Sequence, residues 1–175
     1  MEQVQQLGLC IRGEKVMLND RISFWWNEKS KLFIPTGGHI NHTTDGKVRG
    51  YGAREVSGWL SSDVQYGIHS VDIWIKNLTD LASGEKTDGN FGIGNAHWVM
   101  VTQGKVFIGC EYVEDQQVLL TTEQTIYVLE QYRSFLEGTY TKNHPPEPID
   151  LEYLAEGRDA VTQYESLDGA YCLPY

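Results

Sequence analysis

The chain has 175 residues, of which 41% are hydrophobic and 22% charged, and a net charge of −10. That length suits one domain, read here as 1–175, and the composition excludes disordered and fibrous classes. Residues 1–110 balance 11 basic against 11 acidic side chains, whereas residues 111–175 carry 3 against 13. A chain charged in this way repels nucleic acid and anionic lipid and attracts basic partners. The N-terminal stretch MEQVQQLGLCIRGEKV lacks a basic n-region and a long apolar h-region, so no secretory signal is expected. No apolar run approaches the ~20 residues of a membrane span. Cys10, Cys110 and Cys172 are odd in number and widely spaced, which fits a reducing compartment. These features describe a cytoplasmic protein.

In chain order, the first 35 residues read as a β-meander. Strands at 7–11 and 15–18 flank Gly13-Glu14, and strands at 22–26 and 31–34 flank a polar turn at 27–30. A glycine-rich loop follows, then a short helix at 53–61. Val71, Ile73 and Ile75 alternate with Asp72, Trp74 and Lys76, a period of two that predicts a strand. A second glycine-rich loop, ASGEKTDGNFGIG, leads into two apolar strands within GNAHWVMVTQGKVFIGCEY. After a strand at 118–120 the pattern turns helical. Thr121 with Gln124 forms a capping box, Ile126, Leu129, Tyr132, Arg133 and Leu136 recur at helical spacing, and Gly138 stops the helix. Beyond the rigid connector HPPEP, Asp150 is placed to cap a second helix carrying Leu151, Leu154, Ala155 and Val161. The expected class is α+β: a β-rich N-terminal two-thirds, mainly antiparallel sheet, followed by two C-terminal helices.

The hairpin places a histidine at the start of one strand and a cysteine at the end of the next. If Gln103-Gly104 forms a two-residue type I′ turn, His97 falls opposite Cys110. Type I′ needs positive φ at both central residues, and glutamine is poor at the first. A type I turn with Gly104 in a G1 bulge suits the sequence better. That register pairs Cys110 with Ala96 and turns His97 to the other face, so no dyad is expected. The segment HWVMVTQGKVFIG resembles the histidine strand and following hairpin of papain-like cysteine peptidases, particularly bacterial double-glycine leader peptidases. The resemblance covers under 20 residues and implies a cysteine hydrolase in which Cys10 or Cys110 acts with His97. Two departures weigh against it. The family's nucleophile opens a helix, whereas Cys10 lies in the strand-like LGLCIRG, and Glu111-Tyr112 follows the hairpin here.

Other motifs read as ordinary structure. His39 and His42 share a loop but lack further ligands at metal-site spacing, so no metal is expected. GNFGIG precedes a strand, the reverse of a phosphate cradle, and nothing else in the chain calls for a cofactor. Trp25, Trp26, Trp59, Trp74 and Trp98 have no carboxylate pair placed beside them for sugar chemistry.

The acidic C-terminal third is the strongest functional signal. Glu123, Glu130 and Glu137 lie seven apart and form one helical stripe with Tyr127 and Ser134. Glu152, Glu156 and Asp159 form a second stripe, and Glu114 and Asp115 sit in the loop before the first helix. Solvated faces usually interleave lysine to relieve repulsion, and neither predicted helix contains one. In size, acidity, α+β build and want of a catalytic constellation, the chain resembles bacterial immunity proteins that neutralise contact-dependent or polymorphic toxins. The resemblance is one of character and assigns no residue. It implies a non-enzymatic inhibitor covering the active site or substrate groove of a basic toxin domain such as a nuclease. The surface expected to do so comprises Glu114, Asp115, Glu123, Tyr127, Glu130, Ser134, Glu137, Glu152, Glu156 and Asp159.

Overall fold

A strand buried on both faces reads as a continuous apolar run, and that is how the centre of this molecule is built. The computed structural model describes residues 17–38, 41–42, 48–84, 89–113 and 115–167. In it β5 (Gly89–Ile93), β6 (His97–Thr102), β7 (Lys105–Cys110), β8 (Gln117–Thr121) and β10 (Ala155–Glu156) form an antiparallel sheet in the order β10-β8-β7-β6-β5. A second antiparallel sheet, β2-β1-β9, joins β1 (Leu18–Asn27), β2 (Leu32–Thr36) and β9 (Ile149–Tyr153). A two-stranded ribbon pairs β3 (Asn41–His42) with β4 (Val48–Arg49). The helices are α1 (Tyr51–Trp59), α2 (Ile68–Ala82), α3 (Thr122–Glu137) and α4 (Gly157–Glu165), and the chain is α+β as expected.

Alternation along the five-stranded sheet divides the apolar side chains between two clusters. Val99, Val101, Val106, Ile108, Val118 and Leu120 face α1, α2 and α3, where Val56, Trp59, Val71, Leu78, Val128 and Tyr132 complete the main core. Trp98, Met100, Phe107 and Leu119 point the other way, onto Ala160 and Tyr164 of α4. Each fully buried branched or aromatic side chain contributes roughly 1.5–3 kcal/mol. The two-faced burial therefore holds β6 and β7 rigidly between layers of helix.

The N-terminus of α1 is capped from a distance. Gly50 and Gly52 donate their N–H groups to Glu156 Oε2 at 3.0 and 2.9 Å, and the Tyr153 hydroxyl donates to the same oxygen at 3.1 Å. A buried carboxylate at this position satisfies two first-turn donors and complements the helix dipole. At its other end α1 runs into one π-helical turn, Leu60–Val64, which closes at Gln65 with φ of 64°. Single π-turns often re-aim side chains at functional sites.

Several expectations are corrected. Residues 68–82 are helix α2, because Val71 and Leu78 lie seven apart on one buried stripe, while Ile73 is 47% exposed. The alternation of isoleucine and valine that suggests a strand is incidental to that stripe. Ile149–Tyr153 and Ala155–Glu156 are strands: Ile149, Leu151 and Tyr153 are buried while Asp150 and Glu152 face solvent, a period of two that displaces the expected helix start to Gly157. The second glycine-rich loop contains β5. The expected helix at 53–61 is α1, and the capping box of α3 forms, with Gln124 N–H to Thr121 Oγ1 at 3.1 Å and Thr121 N–H to Gln124 Oε1 at 2.8 Å. The strand at 7–11 lies outside the described residues. Among the described residues, no helix is long and apolar enough to cross a membrane.

Candidate functional site

The β6–β7 turn sets the register of the site. Gln103 has φ of 48° and Gly104 of 68°, so both central residues are left-handed and the two-residue turn forms despite the glutamine. Thr102 pairs with Lys105, and His97 pairs with Cys110. This overturns the expected opposite-face arrangement. Glu111 N–H donates to Ala96 O at 2.9 Å. His97–Cys110 is therefore a non-hydrogen-bonded pair, the kind whose side chains stand closest.

Three elements converge on His97, which is 4% exposed. The π-turn presents Asp63, whose Oδ2 lies 2.5 Å from His97 Nδ1 and whose Oδ1 accepts the Ala96 N–H at 3.2 Å. Asn95 Nδ2 donates to Ser62 O at 2.7 Å, clasping the β5–β6 turn onto the π-turn. A Cβ at Gly94 would fall 1.7 Å from Asp63 Oδ1, so only glycine permits this approach. From α1 comes Glu55, fully buried, with Oε1 3.7 Å from His97 Nε2. One turn on, a Cβ at Gly58 would stand 3.1 Å from that same nitrogen. Glu55, His97 and Cys110 offer carboxylate, imidazole and thiol atoms within 4.8 Å of one another.

The electrostatics of the cluster differ from group to group. Burial pushes the Glu55 carboxyl well above its ordinary value; the Gln116 amide eases this and Asp63 adds to it. Burial also opposes the Asp63 carboxylate, but His97 and the Ala96 and Asn95 backbone outweigh it and hold Asp63 below its ordinary value. With Asp63 ionised, His97 donates to it from Nδ1, and the opposite ring nitrogen, Nε2, faces Glu55 at 3.7 Å. The Cys110 thiol is pushed up by burial, eased by the Tyr112 and Val113 backbone and raised further by the Glu55 and Asp63 charges. Asp63, His97 and Cys110 follow the order of a nucleophilic triad, yet among the described residues the groups that shift the thiol include neither a helix N-terminus nor a cation to ionise it.

A second candidate site lies on the surface. Glu123, Tyr127, Glu130, Ser134 and Glu137 are all exposed along α3, as the stripe predicts. Glu152 is exposed on β9 and Asp159 on α4. Asp115 is exposed with Arg158 Nε at 3.7 Å, and Glu114 lies outside the described residues. Glu156 is buried beneath α1 and leaves the surface assigned to it. Glu137 shares Arg133 with Asp72, each at 2.6 Å, which offsets charge at that end of the stripe. At the other end, Glu123, Gln124, Tyr127, Asp150 and Glu152 line an open groove of about 450 Å³ between α3 and β9. Backbone N–H bonding at the helix start and the Thr121 hydroxyl hold the Glu123 carboxylate below its ordinary value. No protein family, curated protein or solved structure matches this chain.

Asp63, Glu55 and Asp150 are the site residues that sequence reasoning misses. Glu55 does carry a signal, since an acidic residue precedes Val56 on a helix stripe that is otherwise apolar through Ala53, Trp59 and Leu60. Asp63 carries none, because it reaches His97 only through the fold. Cys10 and His39 lie outside the described residues, as does the side chain of His42.

Proposed function

We propose that the chain is a cytoplasmic protein-binding domain, whose groove between α3 and β9 receives basic side chains of a partner protein. This is the mode expected of an immunity protein covering a basic toxin domain. The observation that carries the reading is the convergence of Glu123, Asp150 and Glu152 around Tyr127, with no basic residue among the described residues that line the groove. Tyr127 is 46% exposed, so its ring offers an apolar and cation–π surface to an arginine or lysine stem. The carboxylates on either side would accept a guanidinium's hydrogen bonds. Arg21 pairs with Asp150 at 2.8 Å, but both side chains are largely exposed, and such a pair exchanges at little cost. Capture from lysate of the source cells tests the reading. A basic protein should be retained by the wild-type chain and released by Glu123→Gln/Glu152→Gln; equal retention by the variant overturns the assignment of the groove.

A second reading, a cysteine hydrolase using Cys110 and His97, is favoured by their direct pairing and by Asp63 on His97 Nδ1. The raised thiol and buried imidazole count against it. Iodoacetamide at pH 6 separates the two: slow modification of Cys110 accords with binding, and rapid modification with a nucleophile.

A further inference from the structure

Glu55 is fully buried, and neither of its carboxylate oxygens meets a partner in full hydrogen-bond geometry, the Gln116 amide only easing its charge; His97 Nε2, also buried, has no partner either. Buried polar atoms left in this way cost about 1–3 kcal/mol each, more when charged. Two such groups facing each other at 3.7 Å, beyond hydrogen-bond reach, point to something that fits between them.

We propose that Glu55, His97 and Cys110 bind one divalent transition-metal ion of the Zn²⁺ class, with Asp63 orienting the histidine ligand. The site is independent of the α3–β9 groove, and each stands or falls without the other. Zinc takes imidazole nitrogen at about 2.0–2.1 Å, carboxylate oxygen at about 2.0–2.2 Å and thiolate at about 2.3 Å. In a tetrahedron those lengths place ligand atoms roughly 3.3–3.8 Å apart. The three candidate atoms already lie within 4.8 Å of one another, so small side-chain rotations close the shell. They come from α1, β6 and β7, elements locked by the main core, which pre-organises the set. A histidine ligand characteristically gives its second ring N–H to a carboxylate, and Asp63 stands 2.5 Å from Nδ1 in that role. Gly58 brings no Cβ into the space beside Nε2, where one would stand 3.1 Å from that nitrogen. Oxygen, nitrogen and sulfur together select zinc or cobalt over calcium or magnesium, which take oxygen alone. Three protein ligands leave a fourth position, and Cys110, which is only partly buried, marks the side open to water.

Cobalt(II) reports this geometry directly. Reduced, metal-free protein titrated with Co²⁺ should take up one equivalent. A near-ultraviolet thiolate-to-cobalt charge-transfer band should appear with the intense visible bands of a tetrahedral ion, and Zn²⁺ should displace both. Cys110→Ser should abolish the charge-transfer band, whereas Cys10→Ser/Cys172→Ser should keep it. Glu55→Gln should weaken binding while retaining the band at saturating cobalt, a second reading if Cys110→Ser folds poorly. Asp63→Asn should weaken affinity by about 10–100-fold with the band preserved. Absence of a charge-transfer band in the wild-type protein, its survival in Cys110→Ser, or its loss in Cys10→Ser/Cys172→Ser overturns the proposal.

Discussion

Glu156 is read from the sequence as part of a binding surface, and the structure instead makes it the cap of α1. Substitution by alanine tests which role it has. Oε2 accepts two backbone N–H groups and the Tyr153 hydroxyl. Net contributions of hydrogen bonds to a charged acceptor run about 1.5–3 kcal/mol. The three share one oxygen and do not add fully, so Glu156→Ala should cost about 3–5 kcal/mol. In a chain of this size that lowers Tm by roughly 6–20 °C. Glu156→Gln keeps an acceptor oxygen and loses only the charge, so it should cost about 1–2 kcal/mol. Urea and thermal unfolding followed by circular dichroism measure both. A Glu156→Ala protein within 1 kcal/mol of wild type would refute the capping role and return this residue to the surface account.

Two further outcomes follow from the buried site. The type I′ turn holds Gln103 at positive φ, so Gln103→Asn should stabilise the fold by about 0.5–1 kcal/mol; a loss of stability would argue for the bulged register that separates His97 from Cys110. In metal-free protein, burial raises Glu55 above its ordinary 4.5, so its contribution is complete below the unfolded-state value and is lost as pH rises through the folded-state one. Glu55→Gln stays neutral throughout. Its stability relative to wild type should therefore climb above about pH 4.5, by at most about 1.4 kcal/mol per pH unit, and level off once Glu55 has ionised in the folded chain. A difference that does not vary with pH would contradict the buried placement.

The legible parts of the fold are those written in local chemistry. Thr121 and Gln124 define the start of α3, and the exposed stripe from Glu123 to Glu137 falls where the seven-residue spacing puts it. The apolar runs of β6 and β7 also announce themselves, because a sheet covered on both faces needs them. The failures come where tertiary packing decides. Val71 and Ile75 fit both periods whereas Ile73 fits only the strand, and burial of Val71 with Leu78 selects the helix. Ile149 to Tyr153 becomes a strand because β1 supplies an edge for it to pair with. The Gln103-Gly104 turn goes against local preference by one left-handed glutamine, offset by the six-pair ladder it closes. That single residue decides whether His97 meets Cys110. Asp63 and Glu55 reach His97 from 34 and 42 positions away in the chain, too far for any motif spacing to show.

The proposed function depends most directly on the acidic groove. Its direct test is parallel capture from source-cell lysate on wild-type chain, Glu123→Gln/Glu152→Gln, Tyr127→Ala and the distant control Glu165→Gln. Glutamine is used at 123 because Glu123 sits in the first turn of α3, where lysine would oppose the helix dipole. The predicted result is one basic protein at about equal stoichiometry on wild type and Glu165→Gln. It should associate more slowly and with weaker salt dependence on the double variant, and dissociate faster from Tyr127→Ala by the equivalent of ~1–2 kcal/mol. Recovery of no basic protein, or of one held equally by all four chains, would contradict the claim that this groove carries the function.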